Sequence, residues 1–160
     1  MKIGVISDTH GDQGAIRQAV QMLPDADVWL HAGDYSQDTT YLARLVSVPV
    51  FAAKGNCDGA ATAKVDEFIE VAGKKIWITH GHRYHVKQGV SDLVQWGKQY
   101  EVDVVVYGHT HLPDNQNCDG LLIFNPGSAA ESRVGHCTCG VLEIDNKGTI
   151  TGYIMELNNI

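Results

Sequence analysis

The chain has 160 residues, of which 44% are hydrophobic, and 12 basic against 19 acidic side chains give a formal net charge of −7. This length predicts a single domain over residues 1–160, with a core large enough to need no disulfide framework. The acidic balance argues against a surface that holds long nucleic acid or an anionic membrane, and it favours small substrates.

The first third of the chain predicts strands that alternate with helices, because short buried apolar runs are separated by segments with helical periodicity. In chain order these are a strand at 2–7, a helix at 12–22, a strand at 28–31, a short helix at 41–46 and a strand at 48–53. This order predicts a mostly parallel sheet with right-handed crossovers.

The rest of the chain predicts mainly strands. After residue 59 come a hairpin at 65–71 and 75–79, an amphipathic helix at 86–100, and strands at 102–107, 121–124, 139–144 and 149–157. The segment from 112 to 120 is predicted to be a short connection. Trp29, Trp77 and Trp96 lie in apolar or amphipathic runs and are predicted to be core. These elements fit two sheets packed face to face, with the helices outside.

The expected compartment is the cytoplasm. Met1-Lys2 leads into only four residues, Ile3-Gly4-Val5-Ile6, before a polar cluster, which is too short for a secretory leader. The four cysteines show no paired spacing, so a reducing environment is the default.

Five short polar clusters each follow an apolar run. They are Asp8-Thr9-His10, Gly33-Asp34, Gly55-Asn56-Cys57-Asp58, His80-Gly81-His82 and Gly108-His109-Thr110-His111. Because ligands of open α/β folds bind beyond the carboxyl ends of strands, we expect these clusters to meet in one site. Their mixture of oxygen and imidazole donors suits Mn²⁺, Fe²⁺, Co²⁺, Ni²⁺ or Zn²⁺ better than Ca²⁺ or Mg²⁺.

The clusters offer at least seven metal donors: Asp8, His10, Asp34, Asn56, His80, His109 and His111. Seven donors are too many for one tetrahedral ion and suit two ions if one carboxylate bridges them. His109 and His111 point the same way if their segment is extended, and they reach two adjacent ions if it turns. Two divalent ions outweigh the two aspartate charges, so the pocket would attract phosphate.

In this order the motifs resemble those of the calcineurin-like metallophosphoesterases, and more closely the small YfcE-type phosphodiesterase branch, from Ile3 to about Ser128. The resemblance implies an α/β fold, a four-layer αββα sandwich of two mixed β-sheets flanked by helices. It also implies two metal sites, one held by Asp8, His10 and His111 and the other by Asn56, His80 and His109, with Asp34 bridging them. The loop at 125–128 resembles one near the site of this branch, whereas its continuation at 129–133 departs from the branch and is given no role.

The implied reaction is hydrolysis of a small phosphodiester by a hydroxide that bridges two metal ions, with Mn²⁺ expected and Ni²⁺, Co²⁺, Fe²⁺ or Zn²⁺ as alternatives. Many family members carry a histidine after the asparagine that assists the leaving group, and this chain has Cys57 there. A thiol with an ordinary pKa of ~8.5 is a poor substitute, so His82 is the candidate replacement. The candidate catalytic residues are therefore Asp34, Asn56, Cys57 and His82.

Simpler interpretations stay open for several features. The same scaffold serves as a protein-binding module in the retromer subunit of this superfamily, where metal-site residues have been lost, so a binding scaffold with a weak metal site is the alternative function. His31 is predicted to be a packed strand histidine, and Cys137 and Cys139 are predicted to lie on an exposed strand face without a role. Relatives of this branch often form dimers, which makes a homodimer or a higher homo-oligomer the expected assembly.

Overall fold

The computed structural model of the protein describes residues 1–35, 37–59 and 63–158. In chain order its elements are β1 (Lys2–Ile6), α1 (Gln13–Met22), β2 (Val28–His31), α2 (Asp38–Leu45), β3 (Val50–Ala52), β4 (Asp66–Val71), β5 (Lys74–Thr79), α3 (Ser91–Gln99), β6 (Val104–Val106), β7 (Pro113–Cys118), β8 (Leu121–Pro126), β9 (Thr138–Ile144) and β10 (Ile150–Glu156). Within these described ranges, no helix is both long enough and apolar enough to cross a membrane.

The strands form two five-stranded sheets, with the orders β10-β9-β1-β2-β3 and β4-β5-β6-β8-β7. Each sheet is mixed: β1, β2 and β3 are parallel in the first, and β5, β6 and β8 are parallel in the second. The remaining neighbours pair in antiparallel fashion. This is the predicted α/β sandwich of two mixed sheets, and that prediction is confirmed.

Three apolar layers hold the sandwich together. The central one lies between the sheets and includes fully buried Ile3, Leu30, Ile78 and Phe124. A second layer packs α1 and α2 on the first sheet around Trp29, and a third packs α3 on the second sheet. Strands buried on both faces read as continuous apolar runs, which is why residues 3–6 and 104–106 were recognisable as strands.

The structure differs from the sequence-based expectation at three elements. β7 occupies the segment predicted to be a connection; it is a polar edge strand that pairs antiparallel with β8, and its sequence has no apolar alternation. α3 begins at Ser91 because the preceding residues form successive turns. Trp96 is 38% exposed on that helix, so its assignment to the core is wrong, whereas Trp29 and Trp77 are buried as predicted. Cys139 is also buried, which contradicts the expected exposed face.

Candidate metal centre

The polar clusters meet where the carboxyl ends of the parallel strands of both sheets come together. The Asp8 amide, after β1, donates to the Gly33 carbonyl after β2 (2.9 Å). The Gly108 amide, after β6, donates to the His80 carbonyl after β5 (3.1 Å). His80 Nδ1 lies 2.8 Å from the Ala32 carbonyl and so joins the two sheets. The topology therefore brings the clusters to one edge of the sandwich, as expected for an open α/β fold.

Asp8, His10 and His111 form a group that we call the first triad, in which one donor atom of each lies within 4.8 Å of the others. Asp8 Oδ2 accepts hydrogen bonds from Ser7 Oγ (2.6 Å) and from the His109 amide (3.1 Å). His111 Nε2 lies 3.2 Å from Asp8 Oδ1. Among the described residues, neither Asp8 Oδ1 nor His10 Nε2 has a well-oriented hydrogen-bond partner, although both atoms are buried. Buried polar atoms normally have partners, so these two atoms fit a bound cation.

Asp34, His80 and His109 form the second triad, with donor atoms equally close together. Because His80 Nδ1–H donates to the Ala32 carbonyl, the neutral ring presents the lone pair of Nε2 to the site. That atom lies 3.3 Å from Asp34 Oδ2 and 3.2 Å from His109 Nδ1. Two imidazole nitrogens and a carboxylate oxygen that converge in this way either share a proton or bind a cation. The donor set therefore fits a divalent metal ion.

The electrostatics of the site keep both carboxylates ionised and the imidazole of His109 neutral. Burial works against the charge of Asp34, but the contacts with His80 and the Cys57 amide hold the pKa of this carboxyl well below its ordinary value. Burial also opposes ionisation of Asp8, and His111, His80 and Ser7 together still lower its pKa. Burial and the nearby His80 lower the pKa of His109 to about 4, so its imidazole is neutral at neutral pH. Both carboxylates are therefore charged and His109 can donate a lone pair.

The backbone of the ligand loops is strained. Asp8, His10, Asp34, His109 and His111 have φ values of 52°, 43°, 53°, 70° and 59°, in the left-handed region that non-glycine residues rarely adopt. Such conformations cost on the order of 1–3 kcal/mol each and persist where surrounding structure enforces them, often at functional sites. The segment from His109 to His111 is therefore turned rather than extended, which sends its two imidazoles to different triads.

Two glycines allow the ligand loops to approach one another closely. A Cβ at Gly33, where φ is +97°, would lie 2.6 Å from His80 Nδ1. A Cβ at Gly108 would collide with the Ser7 hydroxyl and the Asp8 carboxylate. Both positions therefore require a residue without a side chain.

A buried network beneath the first triad fixes its loop. The Gly33 amide donates to His31 Nδ1 (3.1 Å), so neutral His31 carries its proton on Nε2 and donates it to Thr9 Oγ1 (2.9 Å). Thr9 Oγ1 in turn donates to Asp38 Oδ2 (2.6 Å), which also accepts from the Gly11 amide (2.8 Å). Burial lowers the pKa of His31 and keeps it neutral. His31 is thus a packed strand histidine, as predicted, and it links the loops that carry both triads.

The other predicted site residues lie at the rim. Six of the seven predicted metal donors fall into the two triads, and the seventh, Asn56, is exposed and donates from Nδ2 to Cys57 Sγ (3.6 Å). Burial and the nearby Asp34 raise the pKa of the exposed Cys57 thiol, which leaves it protonated at neutral pH. The half-buried His82 ring lies 5.5 Å from that of His80 and 6.2 Å from that of His109, between centroids. The assignments of these three residues remain predictions.

Sequence reasoning missed Glu131. Its carboxylate lies 4.0 Å from His10 Nε2 and 3.9 Å from His111 Nδ1, in the segment that was given no role. The signal that could have found Glu131 is its position three residues after the loop at 125–128, which is expected near the site. The Ser128 hydroxyl indeed donates to the Asp8 carbonyl (2.9 Å), and this contact carries the following residues towards the first triad.

Comparisons with known proteins agree with this geometry. The family model described as the calcineurin-like phosphoesterase superfamily domain matches residues 1–147. The phosphodiesterase MJ0936 of Methanocaldococcus jannaschii is 32% identical over 164 residues, which cover 92% of this chain and 95% of that protein. The phosphodiesterase YfcE of Escherichia coli K12 is 26% identical over 170 residues, which cover 91% and 89%.

A solved structure shares the whole fold. Zn²⁺-bound wild-type Vps29 from Entamoeba histolytica superposes with a TM-score of 0.75 at 23% identity, over 99% of this chain and 100% of that one. At this identity the likeness concerns the fold alone.

Proposed function

The chain belongs to the calcineurin-like phosphoesterase superfamily, and we propose that it is a dinuclear metal-dependent phosphodiesterase. The observation that carries the proposal is the pair of adjacent triads, each with one carboxylate and two imidazoles. Asp8 Oδ1 and His80 Nε2, one from each triad, lie 3.8 Å apart. Two groups of metal-ligand type at this separation favour two ions in one site over a single isolated ion.

The first triad would hold one divalent ion and the second triad the other, with Mn²⁺ as the proposed metal and Asp34 as the proposed bridge. Two such ions lower the pKa of bound water towards neutrality and offset the negative charge of a phosphoryl group. The protein supplies ionised carboxylates, the His80 imidazole in a fixed tautomer, and ligand loops held by buried hydrogen bonds. Asn56 at the rim would orient a phosphoryl oxygen, and the half-buried His82 imidazole would hydrogen-bond an ester oxygen.

The proposed substrates are small phosphodiesters. Two relatives are named phosphodiesterases, which favours diesters over monoesters. The net charge of −7 opposes binding of long nucleic acids. Aryl diesters should react faster than alkyl diesters, because Cys57 is a weak acid and an aryl leaving group departs without protonation. We place the activity in the cytoplasm, where the four free thiols would stay reduced.

The alternative function is a protein-binding scaffold with a weak metal site. Such a scaffold would present an apolar surface beside the ligands. The exposed aromatic residues Phe68 and Tyr100 contact each other near the amino end of β6, whereas the ligands His109 and His111 follow its carboxyl end. This aromatic cluster is therefore separate from the metal centre. We favour the enzyme because six of the seven predicted metal donors are brought together in the two triads.

Hydrolysis of bis(p-nitrophenyl) phosphate by the Mn²⁺-loaded protein tests the proposal. Asp34→Ala removes the proposed bridge and should reduce kcat by about three orders of magnitude or more. Asp25→Ala removes an exposed carboxylate that pairs with Lys2 on the surface, and it should leave kcat unchanged. Near-normal turnover by the Asp34→Ala variant would contradict the dinuclear proposal.

A further inference from the structure

A groove of about 480 Å³ opens beside the metal centre, between the segment that follows β5 and the segments that follow β6 and β8. Thr110, which lies between the ligands His109 and His111 in the chain, lines it, so the groove lies against the loop that carries these two ligands. This volume falls in the range of small-molecule binding pockets, ~300–1,000 Å³, so the groove can hold more than a phosphoryl group.

Much of the groove lining is apolar. Val86, Val90 and Leu112 contribute aliphatic side chains, and Tyr107 contributes an aromatic ring. Leu112 remains 43% exposed although it lies next to a ligand histidine. A flat apolar ring of a ligand would cover this surface and be stabilised by its burial.

The net charge of the side chains that line the groove is positive. Lys87 and Arg133 both line it, and neither makes an ion pair with any residue in the described ranges. The lining carboxylate, Asp114, accepts hydrogen bonds from Tyr107 Oη (2.6 Å) and from Gln116 Nε2 (2.8 Å) but keeps its charge, so the three charged side chains give the lining a net charge of +1. Lys87 contributes to the lowered pKa of His109, and Arg133 opposes the raised pKa of His111, so the positive field of both side chains reaches the ligand histidines.

We propose that this groove is a substrate-binding subsite for an aromatic ester group that carries its own negative charge. The preferred substrates would then be phosphodiesters with an anionic aryl or nucleotide-like substituent, a class that rests on the proposed phosphodiesterase function. The apolar wall contacts the ring, and Lys87 and Arg133 attract the additional anion. Exposed cations act mainly through a screened field, so the preference should weaken as ionic strength rises.

Two probes that cannot be hydrolysed test the subsite. They are 4-carboxyphenylphosphonate and 4-(trimethylammonio)phenylphosphonate, which differ in the charge on the ring and share the phosphonate. Isothermal titration calorimetry on the Mn²⁺-loaded protein should give about tenfold tighter binding of the carboxylate probe, as expected for two exposed ion pairs of modest strength. Equal affinities for the two probes would overturn the subsite.

Charge-reversal variants test whether the preference for the carboxylate probe over the cationic probe arises in the groove. Lys87→Glu and Arg133→Glu should each reduce the preference about threefold or more, by weakening the carboxylate probe and strengthening the cationic one. Lys147→Glu is the matched control, because this exposed residue lies in the turn between β9 and β10, at the end of the first sheet opposite the metal centre. Two results would contradict the proposal. One is a reduction of the preference in Lys147→Glu as large as in the groove variants, and the other is an equal loss of affinity for both probes in Lys87→Glu and Arg133→Glu.

The same proteins separate the two hypotheses. If the wild type binds the carboxylate probe selectively and hydrolyses no aryl diester with any of the proposed metals, the phosphodiesterase function fails and the subsite stands. If it hydrolyses aryl diesters and does not discriminate between the probes, the subsite fails and the function stands.

Discussion

Replacement of Thr9 by valine tests the buried network that supports the metal centre. Valine has nearly the same shape and lacks the hydroxyl, so Thr9→Val removes the donor to Asp38 and the acceptor for His31 without opening a cavity. Thr9 and His31 are fully buried, and Asp38 is 6% exposed, so water cannot easily replace the lost partner. The Nε2–H of His31 is left unpaired, and Asp38 keeps the Gly11 amide.

The expected loss follows from the two broken hydrogen bonds. An unsatisfied buried donor costs ~1–3 kcal/mol, and loss of a hydrogen bond to a charged group costs ~1.5–3 kcal/mol. We therefore expect Thr9→Val to lower the free energy of unfolding by about 3 kcal/mol. For a domain of this size that corresponds to a fall in Tm of about 6–12 °C.

Calorimetric and urea unfolding of the metal-stripped protein at pH 7 measure this loss. Thr151→Val is the matched control, because Thr151 is exposed on β10 and its replacement should change stability by less than about 0.5 kcal/mol. A loss in Thr9→Val no larger than that of the control would refute the network. Because the Thr9 loop carries Asp8 and His10, the variant should also bind metal more weakly at the first triad.

Two further comparisons probe the ligand loops and the leaving-group side of the site. Gly33→Ala should both destabilise the protein and weaken metal binding, because the added methyl group displaces His80. Gly73→Ala is the control: Gly73 also has a positive φ but open space around it, so this change should cost only ~1–2 kcal/mol of stability and leave metal binding unchanged. Equal metal affinities of the two variants in isothermal titration would refute the close contact between Gly33 and His80. Cys57→Ala should lower kcat/KM for an aryl diester less than about tenfold and His82→Ala about a hundredfold, and the reverse order would show that the thiol takes part in the reaction.

Most of the site was predictable because its residues follow apolar runs. Buried strands such as β1 and β6 stand out in the sequence, and the polar cluster after each one is forced to the same sheet edge by parallel topology. The division of His109 and His111 between two triads was one of two open alternatives. It is decided by a left-handed backbone that side-chain spacing does not reveal.

The missed features are β7, the exposure of Trp96 and the position of Glu131. The polar sequence of β7 lacks the apolar alternation of a strand; the local signal for its pairing with β8 is the two-residue turn Asp119-Gly120, in which both residues have positive φ. Trp96 lies on an amphipathic helix, but α3 turns it towards solvent. Glu131 reaches the first triad only because Ser128 anchors its loop to the Asp8 carbonyl. The contact between Ser128 and Asp8 joins residues that are 120 positions apart, and sequence spacing does not reveal it.

Metal stoichiometry tests the dinuclear centre most directly. Mass spectrometry of the Mn²⁺-loaded protein after removal of free metal should find about two ions per chain in the wild type. His111→Ala removes a ligand of the first triad only, so this variant should retain about one ion, held by Asp34, His80 and His109. A wild-type protein that binds a single ion at saturating Mn²⁺, and loses it in His111→Ala, would contradict a dinuclear centre built from these two triads.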